Sequence, residues 1–265
     1  MEITYSSYLR LNELFGIQSL LSEPNEHDEM LFIIIHQTYE LWFKQILHEM
    51  DYMIKSLGLN NIYIAAKTLK RINTILKVIV HQIDILETMT PLDFLSFRDY
   101  LSSASGFQSY QFRELEFILG NKKSGILNSF SDMPEISDRL MKRYYYPTLW
   151  DVFLWYLSEN SYEVPSYLLK RDVTQSYQPD EAVQDILINI YLKSPEIARF
   201  CELLIDMDEG LQEWRYRHVK MVERTIGSKT GTGGSDGTVY LRKTLFQPAF
   251  PDLWIIRTRF ENVNH

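Results

Sequence analysis

The run from Glu26 to Gly58, EHDEMLFIIIHQTYELWFKQILHEMDYMIKSLG, contains no proline and no glycine before its last residue. Its middle is apolar on most faces, which suits a helix central to a core and not one lying on a surface. Asn25 stands where an N-cap is expected, and Gly58 where the helix should end. So long an apolar element needs other helices to cover it, and the following residues supply them. NNIYIAAKTLKRINTILKVIVHQIDILETM predicts a second long helix stopped near Pro91, and PLDFLSFRDYL a short third with proline in its first turn. Together the three read as a bundle.

Further along, Ser105 and Gln108 have capping-box spacing in SASGFQSYQFRELEFILG, so a new helix is expected to open there, with Gly106 bringing backbone close to whatever the site holds. Residues 120–133 read as a loop. Helical patterns return at 135–158, 180–193 and 195–226, separated by the polar, proline-bearing stretches SENSYEVPSY and SYQPD. Strand alternation is absent almost everywhere and no internal repeat is visible. The expected class is all-α, a single helical domain over residues 1–265.

Composition narrows the chemistry. Lys and Arg number 27 against 35 Asp and Glu, a net charge of −8, and no segment gathers basic residues densely enough to track phosphates, so nucleic acid is not an expected partner. Cys201 is the one cysteine, which excludes an internal disulfide, a Cys-rich zinc site, an iron–sulfur cluster and covalent CxxCH haem attachment. The start, MEITYSSYLRLNEL, lacks the pattern of a signal peptide, and apolar runs such as LFIII are too short to span a bilayer. A cytoplasmic protein with no membrane partner is expected.

None of the six histidines follows a glutamate by three residues, as a di-iron bundle requires, and HEMDY at His48 lacks the second histidine of a zinc-protease motif. The stretch from 214 to 238, WRYRHVKMVERTIGSKTGTGGSDGT, runs a charged helix with one histidine into a glycine-rich loop. At helical spacing Leu211, Trp214, His218, Met221 and Thr225 share one face, while Arg215, Arg217, Lys220, Glu223 and Arg224 take the other. His218 is therefore expected to point inward, either as a core imidazole bonded to a carbonyl or as a metal ligand. One imidazole suffices for haem iron, because the porphyrin supplies the in-plane ligands.

His36 lies four residues after Phe32 and Arg98 four after Phe94, so each pair sets an aromatic ring and a nitrogen donor on one helical face. Ordinary packing explains the first pair as well as a binding role does, and a salt bridge from Arg98 to Asp99 or Glu114 explains the second. Read together they suit a flat aromatic ligand that carries a carboxylate, such as an aromatic amino acid. The loop around Thr232 follows a helix and lacks the GKT order of a phosphate cradle, so a nucleotide site is rejected. A flexible linker and a loop that folds over substrate remain open for it.

Four blocks in order, FIIIHQTYELWFK, FRDYLSSASGFQSYQFRELE, WRYRHVKMVERTIGSKTGTGGSDG and FPDLWIIRTRF, with YYYPTLWDVFLWYL between them, resemble the signature of the tryptophan 2,3-dioxygenase family. The resemblance runs from Tyr5 to the C-terminal helix. It implies an all-α homotetramer, a dimer of dimers, with one non-covalent haem b per subunit, ferrous when active. It implies insertion of both atoms of O2 across the indole C2–C3 bond of L-tryptophan to give N-formyl-L-kynurenine, the first step of tryptophan degradation.

By the same resemblance His218 is the proximal ligand of the haem iron, and Ser105 and Gly106 line the haem pocket. His36 is the catalytic distal histidine and meets the indole N–H; Phe32 and Phe94 wall the indole, Arg98 binds the carboxylate and Thr232 the amino-acid end. Tyr5 and Tyr8, in an N-terminal segment spanning 1–24, reach a neighbouring subunit's site, and 227–238 forms an active-site loop. At Phe94 the chain departs from a frequent tyrosine, so a hydroxyl is lost there. Two other classes stay open: a haem-binding sensor or carrier without turnover, and a cofactor-free helical interaction protein.

Overall fold

The computed structural model describes residues 3–227, 242 and 245–260, and among these every regular element is a helix. Two short helices, α1 (Tyr5–Leu9) and α2 (Leu11–Leu14), precede the long α3 (His27–Gly58) and α4 (Ile62–Leu86). Then come α5 (Pro91–Phe97), 3-10 turns over Arg98–Leu101 and Gly106–Gln108, α6 (Tyr110–Ile118), α7 (Gly125–Asn128) and α8 (Pro134–Tyr145). The chain continues through α9 (Leu149–Glu159), α10 (Ser166–Leu169), α11 (Glu181–Lys193) and α12 (Pro195–Ile226), and ends in α13 (Pro251–Arg259).

The frame is a three-helix slab in which α4 packs against both α3 and α12. Its interior is apolar: Met53, Leu57, Ala65, Leu69, Ile72, Leu204 and Met207 are all fully buried. Shorter helices close the slab: α6 and α9 lie on α3, α5 lies between α3 and α12, and α13 docks on α11 and α12. Asp208, 1 % exposed on α12, fixes that last docking. One of its oxygens accepts from Ala249 N at 3.0 Å, from Phe250 N at 3.4 Å and from the Trp254 indole at 2.9 Å. A second small core forms where Phe117, Ile126, Phe130, Leu140 and Tyr144 meet between α6 and α8.

Several sequence expectations shift by physical detail. The cap of α3 is Glu26 and not Asn25, and it makes no side-chain capping bond. Helix α4 is capped by Asn61, which accepts from Ile64 N at 3.1 Å, a cap not singled out from the sequence. The pattern at 135–158 is two helices, because Tyr146 before Pro147 is forced extended and Thr148 opens a fresh capping box with Asp151. Ser105 and Gln108 do form a capping box, yet it closes only a 3-10 turn, and the helix beyond is capped by Ser109. The stretch 120–133 holds the short helix α7.

The N-terminal helices bury no residue. Ile3, Tyr5, Tyr8 and Phe15 are 77, 77, 76 and 71 % exposed, so this segment presents apolar surface that its own chain leaves uncovered. Its base, by contrast, is moored. Gln18 donates to Gln37 at 2.7 Å, Tyr100 donates to the Glu23 carbonyl at 2.7 Å, and the buried Glu29 carboxylate accepts from Leu21 N, Ser22 N and Ser22 Oγ at 2.8, 3.0 and 2.5 Å.

Candidate functional site

Where α3, α5, α6 and α12 converge they leave a cavity of about 270 Å³ beside the core. Helix α3 contributes Phe32, His36, Tyr39 and Phe43 at the 4, 3, 4 spacing of one helical face. The rings form a continuous wall: Phe32 lies 4.1 Å from the His36 ring, 5.8 Å from Phe94 and 5.5 Å from Phe97. Phe94 comes from α5, and Arg98, one turn on, also lines the cavity although α5 has by then tightened into a 3-10 turn. Glu114, a sequence candidate for pairing Arg98, is instead taken by Arg139 at 2.7 Å and Arg143 at 3.3 Å. Ser105 and Gly106 supply another edge, and a Cβ built on Gly106 would project into open space.

The two imidazoles of the cavity differ in their bonding. His36 Nδ1 sits 2.7 Å from the Phe32 carbonyl, and a carbonyl can only accept, so Nδ1 carries the proton. In the neutral ring Nε2 is then the acceptor. Burial lowers the His36 pKa in spite of the Phe32 carbonyl and the Glu40 carboxylate, which both favour the cation. His218 makes no hydrogen bond to any described residue. Trp214, one turn before it, stacks almost parallel at 5.2 Å and 7°, and is itself clamped by Tyr39, Phe43 and Phe112. Burial first, then the neighbouring charges of His36 and Arg113, push the His218 pKa down to about 4. The imidazole is thus uncharged at neutral pH, with one ring nitrogen bearing a lone pair, aromatically fixed and free to bind a metal.

Among the described residues no three His, Cys, Asp or Glu side chains gather as a metal site. A metal at His218 must therefore bring most of its own coordination sphere. An orphaned imidazole, a wall of rings and an empty cradle at Gly106 fit a flat metal-bearing macrocycle, the haem implied by the resemblance.

The chain matches the sequence profile of the family described as Tryptophan 2,3-dioxygenase over residues 1–143 and 133–260. The chain belongs to the tryptophan 2,3-dioxygenase family. It is 57 % identical over 255 residues to the tryptophan 2,3-dioxygenase of Herpetosiphon aurantiacus, covering 96 % of this chain and 97 % of the relative. It is 50 % identical to that of Anaeromyxobacter dehalogenans, over 96 % of this chain and 95 % of the relative, and 43 % identical to that of Bacillus thuringiensis, over 97 % and 92 %. Members of the tryptophan 2,3-dioxygenase family thus match this chain almost end to end.

Of the residues singled out in the sequence, the fold brings Phe32, His36, Phe94, Arg98, Ser105, Gly106 and His218 to one cavity. Tyr5 and Tyr8 do not line it, and Thr232 lies outside the described residues. One expectation is overturned. Arg215, assigned to the outward face of α12, is a cavity residue with a side chain only 14 % exposed, because that flank of the helix borders the cavity, where Glu116 of α6 comes within 3.9 Å of it. Arg113 and Glu116 on α6 escaped notice for the same reason: charged residues in an amphipathic stretch read as solvated. The signal for them was the close run of charges in RELE beside the capping serines. No described helix is long and apolar enough to cross a membrane.

Proposed function

We propose that this chain is a haem-dependent tryptophan 2,3-dioxygenase acting in the cavity between α3 and α12. Both atoms of O2 enter L-tryptophan, the indole C2–C3 bond breaks, and each carbon ends as a carbonyl, the formyl and the ketone of N-formyl-L-kynurenine. The observation that carries the reading is the pairing of two unlike imidazoles on one cavity, His36 held by its own helix and His218 held by none.

His218 would hold the haem iron, with Ser105 and Gly106 along the macrocycle. When bound, haem b in its ferrous form supplies the O2 chemistry. The chain's own residues bind and orient. Phe32 and Phe94 confine the indole and keep water out, and the absence of a hydroxyl at Phe94 leaves that wall wholly apolar. His36 Nε2 accepts the indole N–H; its lowered pKa makes it a poor proton store, so the proton stays on the indole nitrogen and the residue orients substrate. Arg98 takes the carboxylate, bidentate in form, and Thr232 the amino-acid end.

Tyr5 and Tyr8 complete the site of a neighbouring subunit in a homotetramer. Their supporting observation is a moored base carrying exposed aromatic rings, an arrangement that suits capture by a second copy. The single buried cysteine fits a cytoplasmic setting.

The test is turnover of tryptophan under 18O2 by the reduced, haem-loaded protein, beside a His218→Ala variant. Two labelled oxygens per product and loss of haem retention in the variant are expected. One labelled oxygen, or a spectral change on tryptophan binding without product, overturns the dioxygenase reading in favour of a monooxygenase or a sensor. Full haem occupancy with an unchanged spectrum in His218→Ala overturns the ligand assignment.

A further inference from the structure

Arg215 lies three residues before His218 on α12, about 4.5 Å along the axis and on a neighbouring stripe of the helix. Its guanidinium has one ion-pair contact among the described residues, Glu116 Oε1 at 3.9 Å, too long for a hydrogen bond. No hydrogen bond joins it to any described residue, although its side chain is 14 % exposed. Arg113, 6 % exposed, faces the same cavity from α6. Its Nε donates to the Phe107 carbonyl at 3.3 Å and its Nη1 to Glu116, while the guanidinium plane rests 4.7 Å from Phe107 and 5.3 Å from Phe112.

Glu116 is engaged at both oxygens, because the second also accepts from Asn121 at 3.1 Å. The other carboxylate of this end of the cavity, Glu40, is engaged on the α3 side by Gln111 at 2.8 Å. Two guanidiniums therefore face one carboxylate already engaged at both oxygens, with N–H donors left over in a largely desolvated cavity. Leaving such donors unpaired is costly, and the arrangement is complementary to an anion with more than one carboxylate.

We infer that Arg113 and Arg215, bridged by Glu116, form the receptor for the two propionate carboxylates at one edge of the haem, and so set which edge of the macrocycle enters first. The inference rests on the haem reading above. Geometry favours this source of carboxylate over the substrate's: Arg215 shares a helix and nearly a turn with the iron ligand, and Arg113 lines the same cavity beside Phe107 and Phe112, whereas Arg98 follows Phe94 by one turn at the Phe32 and Phe94 rings.

The experiment titrates haem-free protein with ferric haem and with its dimethyl ester, read by haem absorbance and by quenching of protein fluorescence, for the wild type, Arg215→Met and Arg215→Lys. Arg215→Met removes no hydrogen bond to a described residue, and circular dichroism checks that it folds. The wild type should prefer the free acid by about tenfold to a hundredfold, the worth of charge-assisted hydrogen bonds. Arg215→Met should lose most of that preference without change in diester affinity, and Arg215→Lys should recover part of it. Equal weakening toward both compounds, or an undiminished preference, overturns the assignment. So does a variant whose haem preference is intact while the loaded enzyme loses tryptophan binding and keeps tryptamine binding, since the pair then serves the substrate. A wild type that binds haem and diester alike refutes the receptor and leaves the haem reading standing; one that binds neither removes both.

Discussion

Replacing Glu29 by glutamine should loosen the N-terminal segment and do so in a pH-dependent way. The Glu29 carboxylate is 1 % exposed and accepts three hydrogen bonds from residues 21 and 22. Burial, the largest single influence, raises its pKa, but the Ser22 hydroxyl and the Leu21 and Ser22 amides outweigh it together and hold the carboxyl below its usual range. Glutamine can still accept at one oxygen position; at the other its NH2 faces the Ser22 amide, donor against donor. Losing one bond to a charged acceptor and burying that mismatch costs about 2 kcal/mol. Because the folded pKa is depressed, the unfolded chain binds more protons in this window. The carboxylate's contribution is therefore complete above the ordinary glutamate pKa of about 4.3 and is lost as pH falls through the lower folded value. Urea unfolding at matched protein concentration should show wild type and Glu29→Gln separated at pH 7 and converging on acidification. Since Tyr5 and Tyr8 hang from this mooring, KM for tryptophan should rise in the variant as well. Equal stability at pH 7, or a gap unaltered by acid, would refute the reasoning.

Arg98→Ala should lower kcat/KM for tryptophan by about tenfold to a hundredfold and leave tryptamine, which lacks the carboxylate, little affected; an equal penalty on both marks Arg98 as structural. Asp208→Ala strips the acceptor from Ala249 N, Phe250 N and the Trp254 indole, so thermal unfolding should show a loss of about 3 kcal/mol. Asp208→Asn should restore part of it, and an alanine variant as stable as the wild type would show that α13 docks by apolar packing alone.

The long helices were legible because their signals are redundant: an unbroken run, period-3.6 apolar residues and a stop at each end point to the same answer for α3, α4 and α12. Their ends were less so. Asn25 looks like a cap, yet the capping position falls one residue later at Glu26, whose backbone is extended and whose side chain makes no cap bond; cap chemistry predicts a neighbourhood and packing chooses the residue. The ring-and-imidazole spacing of Phe32 and His36 survived folding because it depends on one helix only. Arg215 did not survive, because its environment is made by α6, which lies far away in the chain. A helical wheel knows the sign of a residue but not whether another helix has arrived with an opposite charge, and Glu116 is such an arrival.

The continuity of α3 bears on how sequences of this kind can drift in length. Phe32, His36, Tyr39 and Phe43 meet the cavity only because they share one rotational phase along an uninterrupted helix. A single inserted residue after His36 would turn everything beyond it by about 100°, swinging Tyr39 and Phe43 away while Phe32 stayed in place. The stretch from 119 to 133 contributes nothing to the cavity wall. Insertions and deletions should accumulate at its exposed positions, 123–125 and 131–133, which flank the buried Ile126 and Phe130, and be purged from the helical stripes, so that the spacing of the aromatic residues would outlast much of their identity.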